Sequence, residues 1–222
     1  MRKLTLSLIL LLWVLAISGL SQDTGENNDR KPVKKTNQRP TAPPKKTEPF
    51  DTADVKTMAT KCVKIQTEKG FITMELFPES APETVRNFLN LVAIKAFDNT
   101  TFSRIVPDFV IQGGNLFTNE NITPEMTWRA VRKIRDEPSL IKHERGIVSM
   151  ARPEEPNSAS TDFFILVTNS SGLDGKFAAF GKVIKGMDLV DTINKMPVDG
   201  EEPKKPVRIT KATIFGCAPP SQ

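Results

Sequence analysis

The stretch SRIVPDFVIQGGN, Ser103 to Asn115, places one arginine and one glutamine among apolar residues and closes on two glycines. Its flanks TTFSRIV and FVIQGG read as strands by their alternation and β-branched content. It holds no cysteine, no histidine and no pair of carboxylates. Covalent or acid–base catalysis needs an activated nucleophile or a tuned base, and this stretch pairs neither Ser103 nor Asp108 with a histidine or a second carboxylate that would make one. Whatever it does must use a fixed positive charge beside an apolar surface.

Outward from there, the chain is a series of short strands. CVKIQTEKGFITMELF, from Cys62, reads as two strands around a turn at Glu68-Lys69-Gly70. APETVRNFLNLVAIKAF follows as a helix: Pro82 suits a first turn, and Val85, Phe88, Leu89 and Val92 form an apolar stripe. RGIVSMAR and DFFILVT are strands separated by the loop PEEPNSAST. AAFGKVI is a further strand, KGMDLVDTINKM a second helix, and VRITKATIFGC the last strand. Many short strands with two helices predict a mainly β, closed antiparallel barrel with its helices outside.

The residues before Cys62 are of another kind. Arg2 and Lys3 precede an apolar run from Leu4 to about Leu20, with small residues at Ser18 to Ser21, the layout of a signal peptide over 1–21. The run is near the lower limit for crossing a bilayer, so an anchor formed by residues 4–20 is the alternative. Residues 22–61 are rich in Pro, Lys, Thr and Asn and poor in large apolar side chains. They are expected to form a disordered linker. The folded domain is expected over 62–218, with a tail at 219–222.

Charge and composition exclude several function classes. The net charge is +5, and the excess lies before Cys62, so the folded part has no polyanion footprint and no nucleic-acid partner is expected. Phosphate-loop and dinucleotide motifs are absent. One histidine and two cysteines, Cys62 and Cys217, give no zinc spacing, so neither a metal nor a cofactor is expected. His143, in LIKHERG, is read as a loop or strand-edge residue rather than a ligand or base.

FSRIVPDFVIQGG, RGIVSMAR, PNSASTDFFILV and LDGKFAAFGKVIKGMDLVD, in that order and preceded by ELFPESAPETVRNFL, resemble the cyclophilin family of peptidyl-prolyl cis/trans isomerases. The resemblance runs from about Cys62 to Cys217. It implies an eight-stranded antiparallel barrel capped by two α-helices, with the active groove on its outer face. The family's catalytic arginine falls on Arg104, and Gln112 falls where a side chain binds substrate or orients that arginine. Phe109, Val110, Phe164 and Leu173 fall around the proline ring, Phe177 beneath it, and Ala151, Arg152 and Asp162 along the adjoining groove. The family pairs its first and last strands, which implies a Cys62–Cys217 disulfide.

An arginine beside an apolar pocket suits this activity. Turning an X–Pro bond breaks no covalent bond; the barrier is the loss of amide resonance, about 18–20 kcal/mol. A catalyst must favour the twisted amide, and a guanidinium can donate to a prolyl nitrogen whose lone pair resonance has released. The expected function is therefore an isomerase that speeds the folding of exported proteins, monomeric, with proline-containing polypeptides as partners. The alternative is a low-turnover proline-peptide binding module or holdase chaperone. The expected location is the periplasm or the secreted space, with membrane contact only if the leader stays attached.

Several positions depart from the family pattern. Val110 stands for a usual Met, Asp162 for a usual Gln, and Phe177 for a usual His or Tyr. Gly172 stands where many eukaryotic members have a Trp that supports cyclosporin binding. The glycine-rich loop after QGG is replaced by NLFTNENITPEMTWRAVRKIRDEP.

Overall fold

A computed structural model describes residues 46–217 of the chain. The expected signal peptide, the expected linker up to residue 45 and the expected tail lie outside the described residues.

The chain first forms a short helix, α1 (Val55–Ala59), then the hairpin β1 (Lys61–Thr67) and β2 (Gly70–Leu76). Thr67 pairs with Gly70 across a two-residue turn, and the Thr67 hydroxyl donates to the Gly70 carbonyl at 3.0 Å. Next comes α2 (Pro82–Ala93), whose Val85, Phe88, Leu89 and Val92 are buried. Its N-cap, Ala81, has no side chain that could cap it. Instead the distant Glu137 carboxylate accepts from the backbone N–H groups of Glu83 (3.0 Å) and Thr84 (2.7 Å), satisfying donors that a helix start leaves open.

Six strands and two helices follow: β3 (Thr101–Phe102), β4 (Arg104–Val106), β5 (Val110–Gly113), α3 (Pro124–Ala130), β6 (Ile147–Met150), β7 (Phe163–Leu166) and, after β8 (Ala179–Lys185), α4 (Met187–Asn194). A small hairpin, β9 (Val198–Asp199) and β10 (Glu202–Pro203), precedes the long last strand, β11 (Val207–Gly216).

The main sheet has nine strands in the order β3-β11-β1-β2-β8-β6-β7-β5-β4, and its neighbouring strands pair antiparallel. Its two edge strands, β3 and β4, are separated only by Ser103, so the chain itself joins the edges and closes the barrel. Closure removes the exposed edges that invite unwanted pairing. The expected eight strands become nine because Ser103 interrupts one of them. The two expected helices are α2 and α4; α1 and α3 are additional.

The barrel interior is a cluster of rings. Phe88 of α2 lies 4.9–5.4 Å, centroid to centroid, from Phe97, Phe163 and Phe180. Strands of period two sort their side chains between two apolar clusters. On β7, Phe163 and Ile165 face the interior while Phe164 and Leu166 belong to a separate cluster; β5 sends Ile111 inward and Val110 to the second cluster.

The linker expected over 22–61 is corrected by the structure, because residues from Glu48 onward are folded against the domain. Glu48 is ion-paired with Arg129 of α3 (2.9 Å) and with Arg132 (2.7 Å). The Phe50 N–H donates to the Asn90 side chain at 2.7 Å, Arg86 donates to the Ala53 carbonyl at 2.9 Å, and Met58 is fully buried. A window-averaged composition hides such isolated anchors in a polar segment. Cys62 and Cys217 form a disulfide with Cα atoms 5.2 Å apart, where β1 and β11 pair at Cys62↔Phe215.

Candidate active site

On the outer face of the barrel, the second apolar cluster opens into a groove of about 700 Å³. All ten residues singled out from the sequence line it: Arg104, Phe109, Val110, Gln112, Ala151, Arg152, Asp162, Phe164, Leu173 and Phe177. Phe164 sits edge-on to Phe177, with centroids 5.8 Å apart and planes at 83°. These side chains therefore make an apolar floor distinct from the barrel core.

Neighbouring elements hold this floor in place. Asn194, at the C-terminal end of α4, is buried and clamps the turn between β4 and β5. Its amide donates to the carbonyls of Val106 (2.9 Å) and Val110 (3.0 Å), and its side-chain oxygen accepts from Asp108 N–H at 2.8 Å. That turn carries Phe109. Gly114 has φ +93° and comes so close to the next strand that a Cβ would lie 2.3 Å from the Thr161 carbonyl oxygen. Only glycine permits that approach, which brings β5 and its Gln112 beside Asp162.

The polar side of the groove is one connected line. Arg104 and Gln112 are cross-strand partners on β4 and β5, and Gln112 is opposite Phe164 on β7. Arg104 Nη1 donates to Gln112 Oε1 at 3.1 Å, and Arg104 Nε donates to the Glu201 carboxylate at 2.6 Å. With the Gln112 oxygen turned to Arg104, its amide N–H₂ is left to interact with Asp162, which packs against the end of the same strand at Gly114. The guanidinium is thereby held from two sides, with its remaining Nη hydrogens unspent.

Electrostatics differ along this line. Hydrogen bonding to Arg104 holds the Glu201 carboxyl below the usual carboxylate range. Burial pushes Asp162 the other way, up to about 6, with Gln112 opposing the rise. Arg152, across the groove, is paired with Asp136 at 3.3 Å and lies over the Phe177 ring at 5.2 Å.

Several lining residues escaped the sequence reading. Asn115, Ser158 and Ser160 complete the polar wall; short polar side chains in loops carry no periodic signal. Glu201 was also missed, being 97 residues from Arg104 in the chain. His143 is in a loop, as the sequence reading allowed, and it is buried. Its Nε2 lies 3.0 Å from the Ser149 hydroxyl and its Nδ1 3.2 Å from the Asp174 carboxylate. That buried network ties β6 to the segment just after Leu173 and does not line the groove. Among the described residues, no cluster of His, Cys, Asp and Glu could hold a metal ion.

Residues 62–214 match the family described as cyclophilin type peptidyl-prolyl cis-trans isomerase/CLD. A peptidyl-prolyl cis-trans isomerase of Acinetobacter baylyi is 37% identical over 169 residues, covering 71% of this chain and 87% of the relative. A peptidyl-prolyl cis-trans isomerase-like 3 of Rhizopus delemar is 40% identical over 159 residues, covering 68% and 93%. Among solved structures, a cyclophilin type peptidyl-prolyl cis-trans isomerase of Cryptosporidium parvum superposes with a TM-score of 0.63 at 30% identity, covering 71% of this chain and 99% of that one. The same protein, solved in the presence of the dipeptide Ala-Pro, superposes at 0.62 and 31% identity, covering 70% and 99%.

Proposed function

The chain belongs to the cyclophilin-type peptidyl-prolyl cis-trans isomerase family, and on that premise we propose that its groove turns X–Pro bonds in exported polypeptides. The proline ring rests on Phe109, Val110, Phe164, Leu173 and Phe177. Arg104 donates to the prolyl nitrogen as resonance is lost and holds the proline's own carbonyl, while the preceding carbonyl rotates. The Ala-Pro dipeptide named with the Cryptosporidium parvum relative is the smallest ligand of this kind.

The observation that carries the reading is the placement of Arg104. A fixed cation, braced by Gln112 and Glu201, stands beside an apolar floor that is separate from the barrel interior. Preorganised donors of this type act on charge that develops only in the transition state. Support for export comes from the basic start and apolar run of the leader and from the disulfide, a bond that persists in oxidising compartments.

The test is a substitution. Arg104→Ala is expected to remain folded and to lose roughly 10²–10³-fold in kcat/KM, the usual effect of removing one preorganised donor. Arg104→Lys is expected to recover little, because the charge stays but the planar fork is lost. Exchange spectroscopy on a short X–Pro peptide reads turnover, with circular dichroism as the folding control. Folded Arg104→Ala turning over at the wild-type rate would refute the mechanism. An inactive wild type that still binds the peptide would favour the low-turnover binding module.

A further inference from the structure

Three charged side chains line the groove: Arg104, Arg152 and Asp162. Two are compensated within the protein, Arg104 by Glu201 and Arg152 by Asp136. Asp162 is not. It lines the groove beside the neutral Gln112, and among the described residues no cation is ion-paired with it. The groove therefore carries one uncompensated negative charge in a partly desolvated position. Such a charge is costly unless a counter-charge arrives.

We propose that Asp162 selects prolyl substrates with a lysine or arginine one or two residues before the proline, the peptide's cation supplying the counter-charge that the groove omits. The proposal rests on the function proposed above and specifies its substrate class. Glu201, Arg104 and Gln112 run as one hydrogen-bonded line, and Asp162 follows Gln112 where the end of β5 packs against it at Gly114. If Arg104 holds the carbonyl of the proline itself, the chain on the proline's carboxyl side leads toward Glu201. The chain on its amino side then passes Gln112 and meets Asp162. Around Asp162 the lining is short and polar, with Asn115, Ser158 and Ser160, which leaves room for a long side chain and can hydrogen-bond an ammonium or guanidinium. A carboxylate–cation hydrogen bond in such a site is stronger than a neutral one and discriminates by charge. The glutamine usual in the family at this position would supply no charge.

The test compares peptides that differ in charge but not in length. Ala-Xaa-Pro-Phe peptides with Xaa as Lys, norleucine or Glu, and counterparts with Lys two before or one after the proline, are measured with wild type and Asp162→Asn. Both kcat/KM by exchange spectroscopy and Kd by titration are recorded. Wild type at pH 7.5 is expected to favour Lys over norleucine roughly tenfold before the proline, to show no such gain after it, and to rank Glu last. In Asp162→Asn the Lys/norleucine ratio is expected to fall to about one. The ratio cancels any general loss from the substitution. Should Asp162→Asn misfold, wild type at pH 5 serves instead, since protonation of Asp162 removes the charge. Of the other groups facing it, Arg104 from β4 and Arg152 after β6 stay charged, Gln112 does not titrate, and the single histidine does not line the groove.

Equal values for Lys and norleucine in wild type, or a preference that survives Asp162→Asn and pH 5 alike, would overturn the proposal. Failure of wild type to isomerise any peptide would strike the parent reading alone, because the Kd ratios still report the charge preference.

Discussion

At Asp162 a single carboxyl links stability to pH. Burial raises it to about 6 in the folded protein, whereas an unfolded Asp titrates near 3.9. The folded state therefore holds this proton more tightly. The cost of ionising Asp162 is absent below about pH 4, grows between pH 4 and 6, and is fully present above about pH 6–7, where it is on the order of 2–3 kcal/mol. Asp162→Asn is expected to be more stable than wild type at pH 7.5 and to lose that advantage as the pH falls to 4. Denaturant unfolding of the pair at several pH values reads the difference, and a constant gap would show that Asp162 titrates normally. Glu201 presents a different case. Its pair with Arg104 is largely exposed, so Glu201→Ala is expected to leave stability nearly unchanged. Releasing one brace of the guanidinium is expected to lower kcat roughly tenfold with little change in KM. Glu201→Gln, which keeps an acceptor for Arg104 Nε, is expected to restore most of that loss. If Ala and Gln behave alike and match wild type, the brace is not used in turnover.

Among the elements, the segment before β1 is the least expected. Glu48 binds two arginines, and both its side chain and that of Arg129 are nearly buried, at 9% and 5% exposure. Burial holds the Arg129 guanidinium below its usual range while Glu48 opposes the shift. Removing the carboxylate would strand that cation among buried groups. Glu48→Ala is expected to cost about 3–5 kcal/mol, the effect of breaking a buried pair from one side, and a thermal or denaturant melt checks it. A loss below about 1 kcal/mol would mean that the segment is only loosely attached. The segment matters for the groove because α3 is linked to its rim: the hydroxyl of Ser160 donates to the carbonyl of Ala130, the last residue of α3, at 2.5 Å, and just beyond α3 the Ile134 N–H donates to the Ala159 carbonyl at 2.8 Å. That coupling was illegible in the sequence, where Glu48 is one acid in a polar run and Arg129 one base in a loop. The helix α2 was legible, because its apolar stripe is periodic and Pro82 marks its start.

The whole domain is tied at its ends by the disulfide, which spans 155 residues of sequence. Loop-closure entropy sets a ceiling of about 5 kcal/mol on its contribution. It joins β1 to β11, which already pair along seven positions, so part of that ceiling is met by the sheet itself. An intact mass of the protein purified from expressing cells, with and without reduction and alkylation, tests two expectations together. The mass is expected to lack the leader through about Ser18 to Ser21 and to show no alkylatable thiol until reduction. A mass that retains Met1 or Arg2, recovered with membranes, would favour the anchor formed by residues 4–20; two free thiols would exclude the bridge.

What the sequence determined by itself is what local pattern and residue chemistry encode. Alternation marked the strands, an apolar stripe and a proline marked α2, and Arg104 among apolar neighbours without an activated nucleophile limited the chemistry. The ten groove residues were named from ordered motifs, and the fold lines all of them along one groove. Only the tertiary structure decided which charges meet: Arg104 with Glu201, Arg152 with Asp136, Glu48 with Arg129, and Asp162 with none among the described residues. The barrel's closure through Ser103 was likewise decided by strand pairing. The reason is physical. A strand or helix pattern is set by dihedral preferences and by neighbours a few residues away, whereas the energy of a charge depends on distance through space and on the water removed around it, and neither scales with separation along the chain.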